Sequence, residues 1–268
     1  MRGVVCACVR ASGKAIQHEH SKGEGSVTHL YLIRHGEAVS NVDRTAPTAG
    51  MRGDAGLTPL GRIQAERLRD RLAATGEIAA DVLIASTLRR ARETAEIIAP
   101  ALGLPIEWDD DVQELRVGEI DGIPWSEVEA DMPDFRVEPY RPLSPGGESW
   151  PQFVLRVGQT LDRITREHAG KTIVIVCHGG VIDSSFTVYC GLSSLMPPQV
   201  EFSTRNTSIT HWEQHTHDNG AVRWRLVIYN DDVHVRDIGA EERLHWPRTN
   251  PATGGAEAPA VPLPTEDE

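Results

Sequence analysis

Short apolar runs alternate with amphipathic stretches along most of this chain, and few architectures accept that order. Residues 29–33, 81–85 and 172–177 are rich in Ile, Val and Leu and have strand length, the pattern of strands buried on both faces. Each is followed, directly or after a loop, by apolar residues at helical spacing. Thr58 and Pro59 open one helix, with a stripe at Leu60, Ile63, Leu68 and Leu72. Ser86 or Thr87 caps the next, striped by Leu88, Ala91, Ala95 and Ile98. A third starts at Ser149, with Phe153, Val157, Leu161 and Ile164 on its inner face. A short strand near Ile106 and a helix after Gly180 complete the alternation. Residues 109–145 read as mostly irregular, with one helical turn at 125–130. Residues 206–212 and 221–229 read as strands around an Asp218-Asn219-Gly220 turn. The order predicts an α/β fold: one three-layer domain, its mostly parallel central sheet flanked by helices.

The two ends lie outside this pattern. Residues 1–27 are expected to be a flexible leader, and the apolar patch at 4–9 is too short and too interrupted for a signal peptide. Cys6, Cys8, His18 and His20 have no zinc-ligand spacing. Residues 247–268, with five prolines and no aromatic residue, are expected to be a disordered acidic tail. The domain is therefore placed at 28–246. Of the net −12, the leader carries +2 and the tail −3, which leaves −11 on the domain. Such acidity argues against nucleic acid and anionic membranes as partners. No apolar run nears the roughly 20 residues that span a bilayer. Four scattered cysteines suit a reducing cytoplasm rather than a disulfide scaffold. Oligomeric state, a homodimer included, stays open.

Two of the strands end alike. Residues 29–33 lead into Arg34-His35-Gly36 and residues 172–177 into His178-Gly179-Gly180. Ligands bind at the carboxyl edge of open α/β sheets, and Gly after His lets a ligand approach the main chain. One such His is ordinarily structural; two at equivalent strand ends predict a shared pocket. The third strand delivers Ser86-Thr87-Leu88-Arg89-Arg90-Ala91-Arg92 to the same edge, so a helix start and forked Arg donors favour an oxyanion there. At least one of Arg89, Arg90 and Arg92 is expected on a solvated face.

Arg34-His35-Gly36-Glu37, Asn41, Leu57-Thr58-Pro59-Leu60-Gly61, Ser86-x-Leu88-x-Arg90-Ala91-x-x-Thr94-Ala95, Gly147-Glu148-Ser149 and His178-Gly179-Gly180 occur in that order. The ordered set resembles the histidine phosphatase (phosphoglycerate mutase-like) superfamily, its branch of small phosphatases and cofactor-dependent mutases, over most of 28–230. The resemblance implies that His35 is the nucleophile that becomes phosphohistidine. It implies a phosphoryl pocket of Arg34, Arg90, His178 and Gly179, helped by Asn41. Glu114, four residues before Gly118, takes the place of the family's proton donor, with Glu119 and Asp121 as rival carboxylates. The loop at 45–53 lacks the Phe-Thr-Gly-Trp-like stretch of the mutases, and their arginine-rich insertion is missing, so hydrolysis of a small phosphorylated metabolite is favoured over mutase transfer. A phospho-ligand-binding module without turnover is the non-enzymatic alternative.

Side-chain chemistry gives this reading a mechanism. A neutral imidazole attacks phosphorus without a metal or other cofactor, provided its second nitrogen donates to a fixed acceptor such as a main-chain carbonyl. Arg34, Arg90 and a protonated His178 would stabilise the spread anionic charge. Glu114 would protonate the departing alkoxide and then activate water. Residues 123–147, with Trp125, Phe135, Arg136, Tyr140 and Arg141, read equally as a specificity lid or a surface loop. His211, His215 and His217 beside Asp218 look like metal ligands but read as a solvated hairpin tip. Cys177 reads as core packing, and Asp183-Ser184 lacks the Gly-x-Ser-x-Gly setting of a hydrolase triad.

Overall fold

A computed structural model describes residues 26–43, 45–217 and 219–238. The expected tail, the Cys6, Cys8, His18 and His20 set, Asp218 and nearly all of the expected leader lie outside these residues.

The sheet has six strands: β1 (Val27–Arg34), β2 (Val82–Ser86), β3 (Ile106–Asp109), β4 (Thr172–Cys177), β5 (Ile209–Thr216) and β6 (Val222–Asp231). Their order is β3-β2-β4-β1-β5-β6. The four on the β3 side pair in parallel, and β5 and β6 continue antiparallel beyond β1. The helices are α1 (Val39–Val42), α2 (Pro59–Thr75), α3 (Arg89–Leu102), α4 (Trp125–Val128), α5 (Trp150–Glu167) and α6 (Gly179–Tyr189).

Strand alternation divides the core into two layers. Leu30, Leu32, Ile173, Ile175 and Cys177 point to α5 and α6, where Phe153, Val157, Leu161, Ile164 and Ile182 are buried. Ile33, Val174 and Val176 point to the other face, against Leu68, Leu72, Ala91, Ala95 and Ile98 of α2 and α3. Cys177 belongs to the first layer, as strand parity requires, and burial pushes its thiol pKa up.

Three local expectations shift. The buried stripe of α2 is Gly61, Gln64, Ala65, Leu68 and Leu72, whereas Ile63 is exposed. The helix is turned so that Gly61 touches the Gly36–Glu37 backbone and Gln64 Oε1 accepts from Glu37 N–H at 2.8 Å. A Cβ at Gly36 or Gly61 would overlap the other segment's main chain, so this contact requires glycine at both positions. The N-cap of α3 is Leu88, not Ser86 or Thr87. The Ser86 hydroxyl lies 2.8 Å from His178 Nε2, and the Thr87 hydroxyl donates to Asp110. Finally, β5 starts at Ile209 because residues 205–208 form a turn that binds the β1 exit: Thr207 N–H donates to Arg34 O at 3.0 Å, and Asn206 Nδ2 to His35 O at 2.9 Å.

Candidate active site

The carboxyl ends of β1, β2 and β4 meet where the sequence pairs its histidines. His35 and His178 are both buried, their ring centroids 5.1 Å apart. His35 Nδ1 lies 2.6 Å from Gly36 O, so that nitrogen carries the proton and donates it. Nε2 then holds the lone pair and accepts from Arg90 Nε at 3.2 Å. The expected main-chain acceptor is thus the carbonyl of the next residue.

Arg90 is held rigidly. Its Nη1 donates to Asp54 at 2.9 Å and to Ala49 O at 3.0 Å. Both partners of the Arg90–Asp54 ion pair are buried. Asp54 also accepts the Arg90 amide at 3.1 Å. A carboxylate of the chain therefore occupies part of the α3 N-terminus that was expected to receive an oxyanion, and the Arg90 side chain is what remains for a ligand. Asp54 has no motif around it and was missed in the sequence. Arg89 and Arg92 sit on the solvated face, Arg89 paired with Glu93 at 2.8 Å and Arg92 over the Trp108 ring at 4.8 Å.

Arg34 is buried and donates through Nη1 to Thr204 O at 2.5 Å, while its Nε has no hydrogen-bond partner. Burial pushes its pKa down to about 10, against the pull of Glu114 and Asp183, so the side chain stays cationic at neutral pH. His178 Nδ1 is likewise buried and unpartnered. Burial, then Arg90, His35 and Arg34, holds the His178 pKa well below its ordinary value. Desolvation first, and the positive field of Arg90 and Arg34 after it, favour the neutral ring over the expected protonated form. Gly179 opens α6, at the positive end of that helix.

Glu114 reaches the same edge from the loop after β3. Its Oε2 accepts from Gly180 N–H at 3.0 Å and its Oε1 from Leu115 N–H at 3.0 Å. A Cβ on Gly180 would strike Glu114 Oε1 and stand 3.0 Å from Phe153 Cζ, so Gly180 makes the seat. Arg156 fixes the loop behind it: paired with Glu148 at 2.6 Å, it donates to the carbonyls of Asp111, Gln113 and Glu114. The rival carboxylates are differently placed. Glu119 is exposed, and Asp121 lines the same cavity as Glu114 but is engaged by the backbone amides of Arg52 and Gly53. Asn41 sits in the first turn after the His35 loop, its Oδ1 accepting from Ala38 N–H at 3.0 Å. Asp183, which lacks a hydrolase-triad setting, is buried on α6, and burial followed by Glu114 drives its pKa well up.

A cavity of about 340 Å³ opens beside Glu114. Its walls include Ala49, Met51, Leu88, Gln113, Arg116 and Asp121. The lining comes from 49–51, 88 and 110–121, and the segment read as a lid at 123–147 borders a separate cleft of about 390 Å³. Phe135 of that segment is buried against Trp150.

His211 and His215 lie on strand β5 rather than at the hairpin tip, and His211 is buried. No helix among the described residues is long and apolar enough to cross a membrane.

The pattern of the histidine phosphatase superfamily (branch 1) matches residues 30–227. A phosphoglycerate mutase-like protein of Arabidopsis thaliana is 31% identical over 222 residues, covering 78% of this chain and 88% of its own. A metal-independent phosphoserine phosphatase of the same plant is 27% identical over 232 residues, covering 84% and 90%. Among solved structures, a mycobacterial glucosyl-3-phosphoglycerate phosphatase superposes with a TM-score of 0.62 at 25% identity, over 76% of this chain and 99% of its own. A phosphoglycerate mutase of Bacillus anthracis, at 20% identity and a TM-score of 0.62 over 79% and 96% of the two chains, shares the fold. The paired histidines at two parallel strand ends, the buried arginines between them and the match over residues 30–227 agree: this chain belongs to the histidine phosphatase superfamily, branch 1.

Proposed function

We propose that the protein is a phosphatase that hydrolyses small phosphate monoesters through a phosphohistidine on His35, without a metal. The observation that carries this reading is the His35 tautomer: Nδ1 is committed to Gly36 O, which leaves Nε2 as the nucleophilic atom. Around it, Arg34 Nε and His178 Nδ1 are buried donors without partners, the condition of groups arranged for an anionic ligand. Ser86 Oγ accepts from Leu88 N–H and lies 2.8 Å from His178 Nε2; with the hydroxyl proton given to Nε2, Nδ1 is the N–H of a neutral ring.

In the first step His35 Nε2 forms a bond to phosphorus as the ester P–O bond breaks. Arg34, Arg90 and His178 hold the equatorial oxygens, and the Glu114 carboxyl protonates the leaving alkoxide. In the second, Glu114 as carboxylate takes a proton from water, the water oxygen bonds to phosphorus and the N–P bond breaks. The two backbone amides on Glu114 orient it for that second role. The cavity beside Glu114 suits a leaving group of metabolite size. Phosphoserine and a glucosylated phosphoglycerate, the substrates in the names of two relatives, are esters of this class. The acidic domain disfavours polyanions and leaves a small phosphate ester acceptable.

The test is incubation with a panel of phosphate monoesters in the presence of a chelator, with acid quench and base quench of the enzyme. Wild type should release phosphate and carry an acid-labile, base-stable phosphoryl group; His35→Ala should do neither. Turnover retained by His35→Ala rejects the mechanism. Transfer to a second position of the substrate in place of phosphate release makes it a mutase, and phosphate-ester binding without either makes it a binding module.

A further inference from the structure

A second cluster of ligand atoms lies at the other end of β1. His29 pairs with Glu213 across β1 and β5, and Tyr31 with His211, so all four side chains share the α2 face of the sheet. His29 Nδ1 is 3.1 Å from His211 Nε2 and 3.8 Å from Glu213 Oε1. Among the described residues these three make one group in which each offers an atom, all within 4.8 Å of one another. Ligands of a tetrahedral zinc ion at about 2.0–2.1 Å lie roughly 3.3–3.4 Å apart, between the two measured separations.

We propose that His29 Nδ1, His211 Nε2 and Glu213 Oε1 bind a divalent cation of zinc type, which fastens the β5–β6 hairpin to β1. Two imidazoles and one carboxylate are a donor set that such ions accept, with water in the fourth position on the solvent side, where His29 is partly exposed. The supports around the set resemble those of metal sites. Glu213 Oε2 is held by His215 Nε2 at 2.9 Å and by Arg225 Nη1 at 3.2 Å, which leaves Oε1 for the ion. Tyr31 stacks on His211 at 4.0 Å between ring centroids and fixes the plane of that ring. Six residues of extended chain, roughly 20 Å, separate His29 from His35. The ion is therefore structural and takes no part in phosphoryl transfer.

The experiment uses the full chain, stripped with chelator and titrated with Zn²⁺ by calorimetry, with Co²⁺ as a spectroscopic probe of tetrahedral geometry. Wild type should bind one equivalent that His29→Ala and Glu213→Gln each lose. His215→Ala should weaken it by about tenfold or more, as loss of a ligand's support does, and His217→Ala should leave it unchanged. A hundredfold excess of Zn²⁺ over Kd should raise Tm by about 5–10 °C, and this rise should vanish in His29→Ala. His29 is partly exposed, so its variant keeps the test open if His211→Ala fails to fold. An equivalent that persists in His29→Ala and Glu213→Gln belongs to other ligands and overturns the proposal. So does the absence of saturable Zn²⁺ binding, which would leave a His29–His211 hydrogen bond only.

Discussion

Asp54 makes the sharpest claim about how the site is held. It is the buried partner of Arg90, accepting from Nη1 at 2.9 Å and from the Arg90 amide at 3.1 Å, and it also takes the Gly56 amide at 2.9 Å. Asp54→Ala leaves a buried guanidinium without its carboxylate and two amides without an acceptor. Removing one partner of a buried pair costs about 3–5 kcal/mol. For a domain of this size that is roughly a 6–20 °C fall in Tm. Arg89→Ala, at the position next to Arg90 but paired with Glu93 on the surface, should cost under about 1 kcal/mol. Activity should fall with Asp54 as well, because Arg90 Nε is aimed at His35 Nε2 by that pair. The assay is thermal unfolding of both variants beside the wild type, with kcat and KM on an aryl phosphate and the Tm shift on adding inorganic phosphate. Asp54→Ala should lose much of that ligand-induced shift, which a merely looser fold would keep. An Asp54→Ala protein with the Tm, KM and phosphate response of wild type would refute the assignment of Asp54 as the residue that positions Arg90.

Other expectations rest on neighbouring contacts. Glu114→Gln should slow alkyl phosphates by about 10²–10⁴-fold and activated aryl phosphates far less; equal losses on both would point to a different acid. Gly180→Ala ordinarily favours a helix by nearly 1 kcal/mol, but here the new methyl meets Glu114 Oε1 and Phe153, so it should destabilise the protein and reproduce the leaving-group dependence of Glu114→Gln. Asp183 has a raised pKa in the fold, so the folded state binds a proton that the unfolded chain releases above its ordinary value. That carboxyl therefore subtracts stability as pH rises from the unfolded pKa toward the folded one. Asp183→Asn should raise Tm at pH 8, with the gain shrinking toward pH 4; a gain that is constant with pH would contradict burial as its source.

The chain's own periodicity determined a good deal. Runs such as 173–177 are apolar at every position because both sheet faces are covered, and that pattern needs no knowledge of what covers them. His35 and His178 were legible for the same reason, since a polar residue that ends a buried strand lies at the sheet's carboxyl edge wherever the strand goes. Glu114 and Arg90 were legible through motif order, a property of the linear chain. Tertiary structure decided what depends on partners distant in sequence. Helical spacing offers Ser86 or Thr87 as a cap, yet the Ser86 hydroxyl faces a histidine 92 positions away. The α2 stripe turned because Gly61 and Gln64 meet the His35 loop, a contact that helical spacing cannot contain. Asp54 carries no local sign of being the counter-ion of Arg90, and His29 none of lying 3.1 Å from His211, 182 positions on. The charge state of His178 also belongs to the fold. Desolvation and the field of Arg34 and Arg90 set it, and neither exists until β1, α3 and β4 have packed.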